Sequence, residues 1–176
     1  MHRPLLLTLL LLAGCSTFRH GARKGELVLT KGKSTIYFTV PPDWVADQQA
    51  GEFGFHSLKP AGEWQPATIS VAFTQKTFTR TPKNDDAAEQ LALSKQYLKY
   101  WLTHDFPDTR LASDSTHATP SGRNFLLFRE SSNGLHLVAL APEKDCVVEI
   151  GLHGSTRDLD RYRAALLAVL DSYRVR

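Results

Sequence analysis

Two short runs near the middle and end of this chain, Phe125-Leu126-Leu127-Phe128 and Val147-Val148, are apolar at odd and even positions alike. Side chains of an extended strand point alternately to opposite faces, so strands of this kind must be covered on both sides. A sheet built from them cannot leave one face wet, and it needs an apolar helical surface for each face. The sequence supplies two candidates. In the first, Ala87, Leu91, Leu98, Trp101 and Leu102 share a helical face; Asn84 stands as cap, Asp85 and Asp86 lie in the first turn where the helix dipole favours negative charge, and Pro107 ends the element. In the second, Ser155 and Asp158 have capping-box spacing, and Leu159, Tyr162, Leu166, Val169, Leu170 and Tyr173 form one stripe. The expected fold is α+β, an antiparallel sheet sandwiched between helices.

The remaining apolar patterns have a period of two. Glu26 to Thr30 and Ser34 to Val40 read as a hairpin around Lys31-Gly32-Lys33, after which Pro41-Pro42-Asp43 stops the strand and returns Trp44 to the body of the domain. Phe53 and Phe55 alternate in a third strand, with a loop at Pro60-Ala61-Gly62, and Ile69, Val71 and Phe73 alternate in a fourth. Leu111 to His117 is a further strand. Phe125 to Glu130 and Leu135 to Ala141 flank Asn133-Gly134, a pair suited to a tight turn because both residues tolerate positive φ, and Pro142 to Asp145 leads into a last strand, Cys146 to His153.

The first residues carry a different message. A basic start (His2, Arg3) precedes an apolar run from Leu5 to Leu12, broken only by Thr8, in the layout of a secretory signal. As a helix that run spans roughly 12 Å, too short for a bilayer core of about 30 Å. It ends in Leu12-Ala13-Gly14-Cys15, which resembles the lipobox of bacterial lipoproteins. The resemblance implies a signal peptide over residues 1–14, acyl chains on Cys15 that hold the protein to a membrane, a tether over residues 15–25 and one globular domain over residues 26–176. Ser16 in place of an aspartate implies the outer membrane, so the expected location is the periplasmic face of that membrane. Arg19, His20, Arg23 and Lys24 in the tether read either as solubilising groups or as attraction to an anionic surface.

Composition narrows the partners. Without residues 1–14 the chain carries 20 basic and 18 acidic residues, a balance that argues for neither nucleic acid nor an acidic tail as the driving partner. With Cys15 acylated, Cys146 is the sole remaining thiol and no internal disulfide can form.

The order of pieces is similar to the PsbP-like family. The stretches that carry the resemblance are Ile36-Tyr37-Phe38-Thr39-Val40-Pro41-Pro42-Asp43-Trp44, the central helix, the hairpins after Gly122, and the ending Leu167-Ala168-Val169-Leu170-Asp171-Ser172-Tyr173-Arg174-Val175. The family resemblance implies an antiparallel sheet between helices and a domain that binds or scaffolds; it brings no catalytic residues with it.

Few residues nominate chemistry. The expected registers make His136 and His153 diagonal neighbours with Glu149 alongside, a set that could hold Zn²⁺ with an open position. No His-x-x-x-His or Cys-x-x-Cys spacing supports a metal, and cross-strand polar residues are common, so neither a metal nor a cofactor is expected. Cys146 shares its face with Val148, Ile150 and Leu152 and reads as a small buried hydrophobe. There is no Gly-x-Ser-x-Gly elbow and no phosphate loop. Trp44 and Trp64 stand beside loops, where a rigid sheet can present them as interface anchors or where they close the ends of the core. The expected role is that of a membrane-held envelope lipoprotein that binds a protein partner without catalysis. The alternatives are a metal-assisted hydrolase using His136, His153 and Glu149, and an inhibitor of an envelope enzyme.

Overall fold

The computed structural model describes residues 17–20, 25–31, 34–47, 56–62, 67–75, 86–104, 108–131, 135–144 and 146–176. In chain order the strands are β1 Thr17–His20, β2 Glu26–Lys31, β3 Ser34–Thr39, β4 Trp44–Asp47, β5 His56–Pro60, β6 Thr68–Gln75, β7 Leu111–Ala118, β8 Asn124–Ser131, β9 Leu135–Pro142, β10 Cys146–Gly154 and β11 Arg174–Val175; helix α1 (Ala87–His104) follows β6 and helix α2 (Thr156–Asp171) follows β10. Seven strands make an antiparallel main sheet in the order β4-β5-β6-β10-β9-β8-β7, and a second sheet has the order β1-β2-β3-β11. The fold is α+β.

Both faces of the main sheet are covered, as the double-parity runs require. On one side Phe125, Leu127, Val148 and Ile150 meet Leu159, Leu166, Val169 and Leu170 of α2, together with Leu27, Leu29, Ile36 and Phe38 of the second sheet. On the other, Leu126, Phe128 and Val147 meet Leu93, Tyr97 and Leu98 of α1. The expected sandwich is therefore present with one change, since α2 shares its layer with a separate small sheet. Cys146 is 1 % exposed, a core residue as expected.

Local chemistry sets the helix limits. Ser155 caps α2 and its hydroxyl accepts from Asp158 N, while the Asp158 carboxylate accepts from Ser155 N at 2.9 Å. The stripe from Leu159 to Tyr173 is buried throughout. At α1 the acceptor for the first turn is Asp86, whose Oδ1 takes Glu89 N at 2.9 Å; Asn84 and Asp85 lie outside the described residues. The most buried residues of α1 are Gln90, Leu93, Ser94, Tyr97 and Leu98; of the expected stripe Leu98 is among them, Leu91, Trp101 and Leu102 pack half-buried against the same cluster, and Ala87 is exposed. Two polar groups join that face. Gln90 Oε1 accepts from Asn124 N at 2.9 Å and Ser94 Oγ donates to Gln90 O at 3.0 Å, so both can be buried without loss.

Other expectations shift. The third strand is β5, beginning at His56, and Pro60 ends it opposite Trp44; residues 53–55 and the turn residues Asn133 and Gly134 lie outside the described residues. Residues 17–20, read as tether, form β1 and pair with β2 from Thr17↔Thr30 to His20↔Leu27. Asp43, at φ 64°, turns the chain after Pro42 so that Trp44 N reaches Pro41 O at 3.2 Å.

A buried polar link ties the chain's end to the sheet. Tyr173 Oη donates to Glu143 Oε1 at 2.8 Å, and Arg123 Nη2 donates to Glu143 Oε2 at 3.0 Å. Burial pushes the Glu143 carboxyl up, against the pull of Arg123 and of the Tyr173 hydroxyl. The Tyr173 ring sits edge-on to Phe125, with centroids 5.2 Å apart. No helix among the described residues is long and apolar enough to cross a membrane.

Candidate functional site

Alternation along β10 sends Glu149, Gly151 and His153 to the α1 side of the main sheet, the same side as Val147. Antiparallel pairing brings Ser70 of β6 opposite Gly151, His136 of β9 opposite His153, and Glu130 of β8 opposite His136. The apolar surface of α1 covers β8 and β9 through Leu126, Phe128, Val138 and Leu140, and these polar residues gather beyond it. They form a strip across four strands.

His153 is the centre of the strip. Its Nε2 lies 2.6 Å from Ser70 Oγ, and its Nδ1 is in hydrogen-bond contact with Nδ1 of His136. Ser70 Oγ also lies 3.4 Å from Gly151 O. One assignment gives each of these donors an acceptor: the Ser70 hydroxyl donates to Gly151 O, His153 Nε2–H donates to Ser70 Oγ, and His136 Nδ1–H donates to His153 Nδ1. Gly151 makes the room, because a Cβ there would stand 2.8 Å from His153 Nε2 and 3.3 Å from Ser70 Oγ. Replacing Gly151 by alanine should therefore break the Ser70–His153 contact.

Every ionisable group in the strip is held towards its neutral form. Burial, reinforced by His136, lowers His153 to about 4, and burial also lowers His136. Burial, reinforced by Glu130, raises Glu149 to about 7, and burial raises Glu130, whose Oε2 has no hydrogen-bond partner among the described residues. A group with a raised folded-state pKa contributes stability at low pH that is lost as pH rises through that value. Glu149→Gln removes that dependence, so it should stabilise the protein at pH 8 by on the order of 1–3 kcal/mol while changing little at pH 4. Urea unfolding at the two pH values measures this, and an equal difference at both would show that Glu149 is not held neutral.

The expected register of the alternative metal set, His136, His153 and Glu149, needs correction. His136 lies directly opposite His153, not diagonal to it, and Glu149 is opposite Leu140, two same-face positions away along β10. Among the described residues no three of His, Cys, Asp and Glu are grouped to hold a metal ion. Ser70, which the sequence did not nominate, is the group that His153 meets. Trp44 is half-buried, packed on the α2-side core and edge-on to Tyr162 at 5.4 Å between centroids, in the place of a core-closing residue. Trp64 and Cys15 lie outside the described residues.

No family model matches the sequence, and no curated protein matches it. Among solved structures the chain is similar to cyanobacterial PsbP (CyanoP) from Synechocystis sp. PCC 6803, at 12 % identity and a TM-score of 0.47 over 93 % of this chain and 94 % of that one. It is also similar to a protein from Bacteroides thetaiotaomicron VPI-5482, at 13 % identity and a TM-score of 0.39 over 84 % of this chain and 49 % of that one.

Proposed function

We propose that this chain is a lipoprotein of a bacterial envelope, anchored through Cys15 on the periplasmic face of the outer membrane, whose PsbP-like domain binds a protein partner and does not catalyse. The observation that supports binding is the free border of the main sheet. β7 ends the sheet, is exposed along its length apart from a half-buried His117, and among the described residues pairs with β8 alone. Such a border offers a row of backbone N–H and C=O groups to an extended segment of a partner.

Adjacent prolines test this reading. Successive N–H groups of an edge strand point alternately inward and outward, so of Ser115→Pro and Thr116→Pro one removes a bond to β8 and the other removes only an outward donor. The variant that leaves the thermal midpoint in place should lose partner capture by more than about tenfold, and unchanged capture would sink the β7 reading. Trp64→Ala is expected to weaken capture by more than about 1 kcal/mol if that residue anchors the partner. The anchor is tested separately. Cys15→Ser should yield protein that is soluble in the periplasm or kept as an uncleaved precursor, whereas cleaved mutant protein wholly in the membrane fraction would rule it out.

One observation favours a second reading, that of a hydrolase: the approach of Ser70 to His153 with His136 behind. Two features oppose it. Gly151 O gives the Ser70 hydroxyl another acceptor, and an imidazole held near 4 is a poor base at neutral pH. Labelling of Ser70 by a fluorophosphonate, lost in His153→Ala, would transfer the case to this reading.

A further inference from the structure

We propose that the second sheet is the membrane-facing pole of the domain, and that the arginine-lined cleft beside β11 takes the phosphate of an anionic phospholipid headgroup; this rests on acylation of Cys15. The first support is the length of chain outside the described residues. β1 begins at Thr17, so Ser16 alone separates the sheet from the acylated cysteine, and two Cα steps reach about 7 Å. Thr17 pairs with Thr30, Thr30 with Thr35, and Thr35 exchanges backbone hydrogen bonds with Arg176. These four residues form one row across the sheet, about 14 Å from β1 to β11 at the usual strand spacing. The end of the sheet that receives the anchored chain is thus also the end that carries Arg176.

Charge separates the segments of this sheet from the rest of the chain. Residues 15–42 and 172–176, which supply all four strands of the second sheet, hold seven Lys and Arg and one acid, Glu26; the rest of the chain after residue 14 holds 13 basic and 17 acidic residues. The near-neutral total hides a basic pole and an acidic body. An anionic bilayer attracts the first and repels the second, which orients the domain as well as holding it. The cleft, of about 330 Å³, opens where this pole meets the main-sheet side of the chain and is lined by Ser121, Arg123, Tyr173, Arg174, Val175 and Arg176. Arg123 pairs with Glu143 and Arg174 with Glu26, while Arg174 and Arg176 also stack over the Tyr37 ring, with their guanidinium carbons 5.6 and 5.2 Å from its centroid. Guanidinium groups held in place by stacking suit the fixed geometry of a phosphate.

The test uses the acylated protein reconstituted into vesicles containing phosphatidylglycerol, or into vesicles of phosphatidylcholine alone, followed by hydrogen–deuterium exchange. Amides of residues 30–35 and 174–176 are expected to exchange more slowly in the anionic vesicles. Lys33→Glu with Arg176→Glu should remove that protection, weakening the contact by more than about tenfold. Equal exchange in the two vesicles, protection that survives the double charge reversal, or protection confined to β7 and α1 would each overturn the proposal. Inorganic phosphate added to the phosphatidylcholine sample separates the sources: full protection from it alone would make the cleft a site for a soluble anion and remove the lipid. Acyl mass on Cys15 is read from the same preparation. Its absence would remove the anchor, and unacylated protein added to the anionic vesicles would still report on the pole.

Discussion

Glu143→Ala is expected to lower the unfolding free energy by about 3–5 kcal/mol, because removing one partner of a buried ion pair leaves the other charged and dry. Glu143 and Arg123 are 2 % and 6 % exposed, and the same carboxyl receives the hydroxyl of the fully buried Tyr173. The change orphans two donors at once and opens space between the β9–β10 turn and the end of α2. Glu143→Gln keeps an acceptor for Tyr173 and should cost less than the alanine. Denaturant unfolding of the two variants checks the order; an alanine variant within about 1 kcal/mol of wild type would show that water replaces the carboxyl at no loss.

Leu166→Ala should be comparably severe, at about 2–5 kcal/mol, a large share of a typical margin of about 5–15 kcal/mol. Leu166 is 0 % exposed and belongs to the cluster in which α2, the main sheet and the second sheet meet. A cavity there is walled by three elements, so collapse onto it from one side is incomplete. Thermal unfolding followed by far-ultraviolet circular dichroism reads the effect, and an unchanged midpoint would mean that the site relaxes fully.

These two positions differ in how far the sequence reveals them. Leu166 is legible because a helical stripe and a capping box are local signals, complete within the 19 residues from Ser155 to Tyr173. Glu143 reads only as part of a turn, and its partners lie 20 and 30 residues away. The α1 face was legible in its Leu and Trp residues but not in its polar members, because apolarity alone cannot reveal that Gln90 is satisfied by a backbone N–H 34 residues on. The polar strip was half legible. His136 and His153 follow from hairpin pairing, but the expected register was off by two; the β9–β10 turn closes with Glu143 N on Cys146 O, which sets Pro142 opposite Val147. Ser70 could not be found, since β6 meets β10 across 83 residues and no spacing rule joins them.

The second sheet joins the two ends of the chain, with Val175 paired to Ile36. In a chain made amino terminus first, β1, β2 and β3 are complete long before β11, their last partner in the sheet. Closing that loop late carries a large entropy cost before any contact rewards it. Until then β3 has an open border, and the apolar side of the second sheet, with Phe38 and Ile36, has no α2 to lie against. The half-made protein is thus most prone to aggregate at the end by which it is proposed to be anchored, and acylation before folding would keep such chains apart on the membrane rather than free to meet in solution.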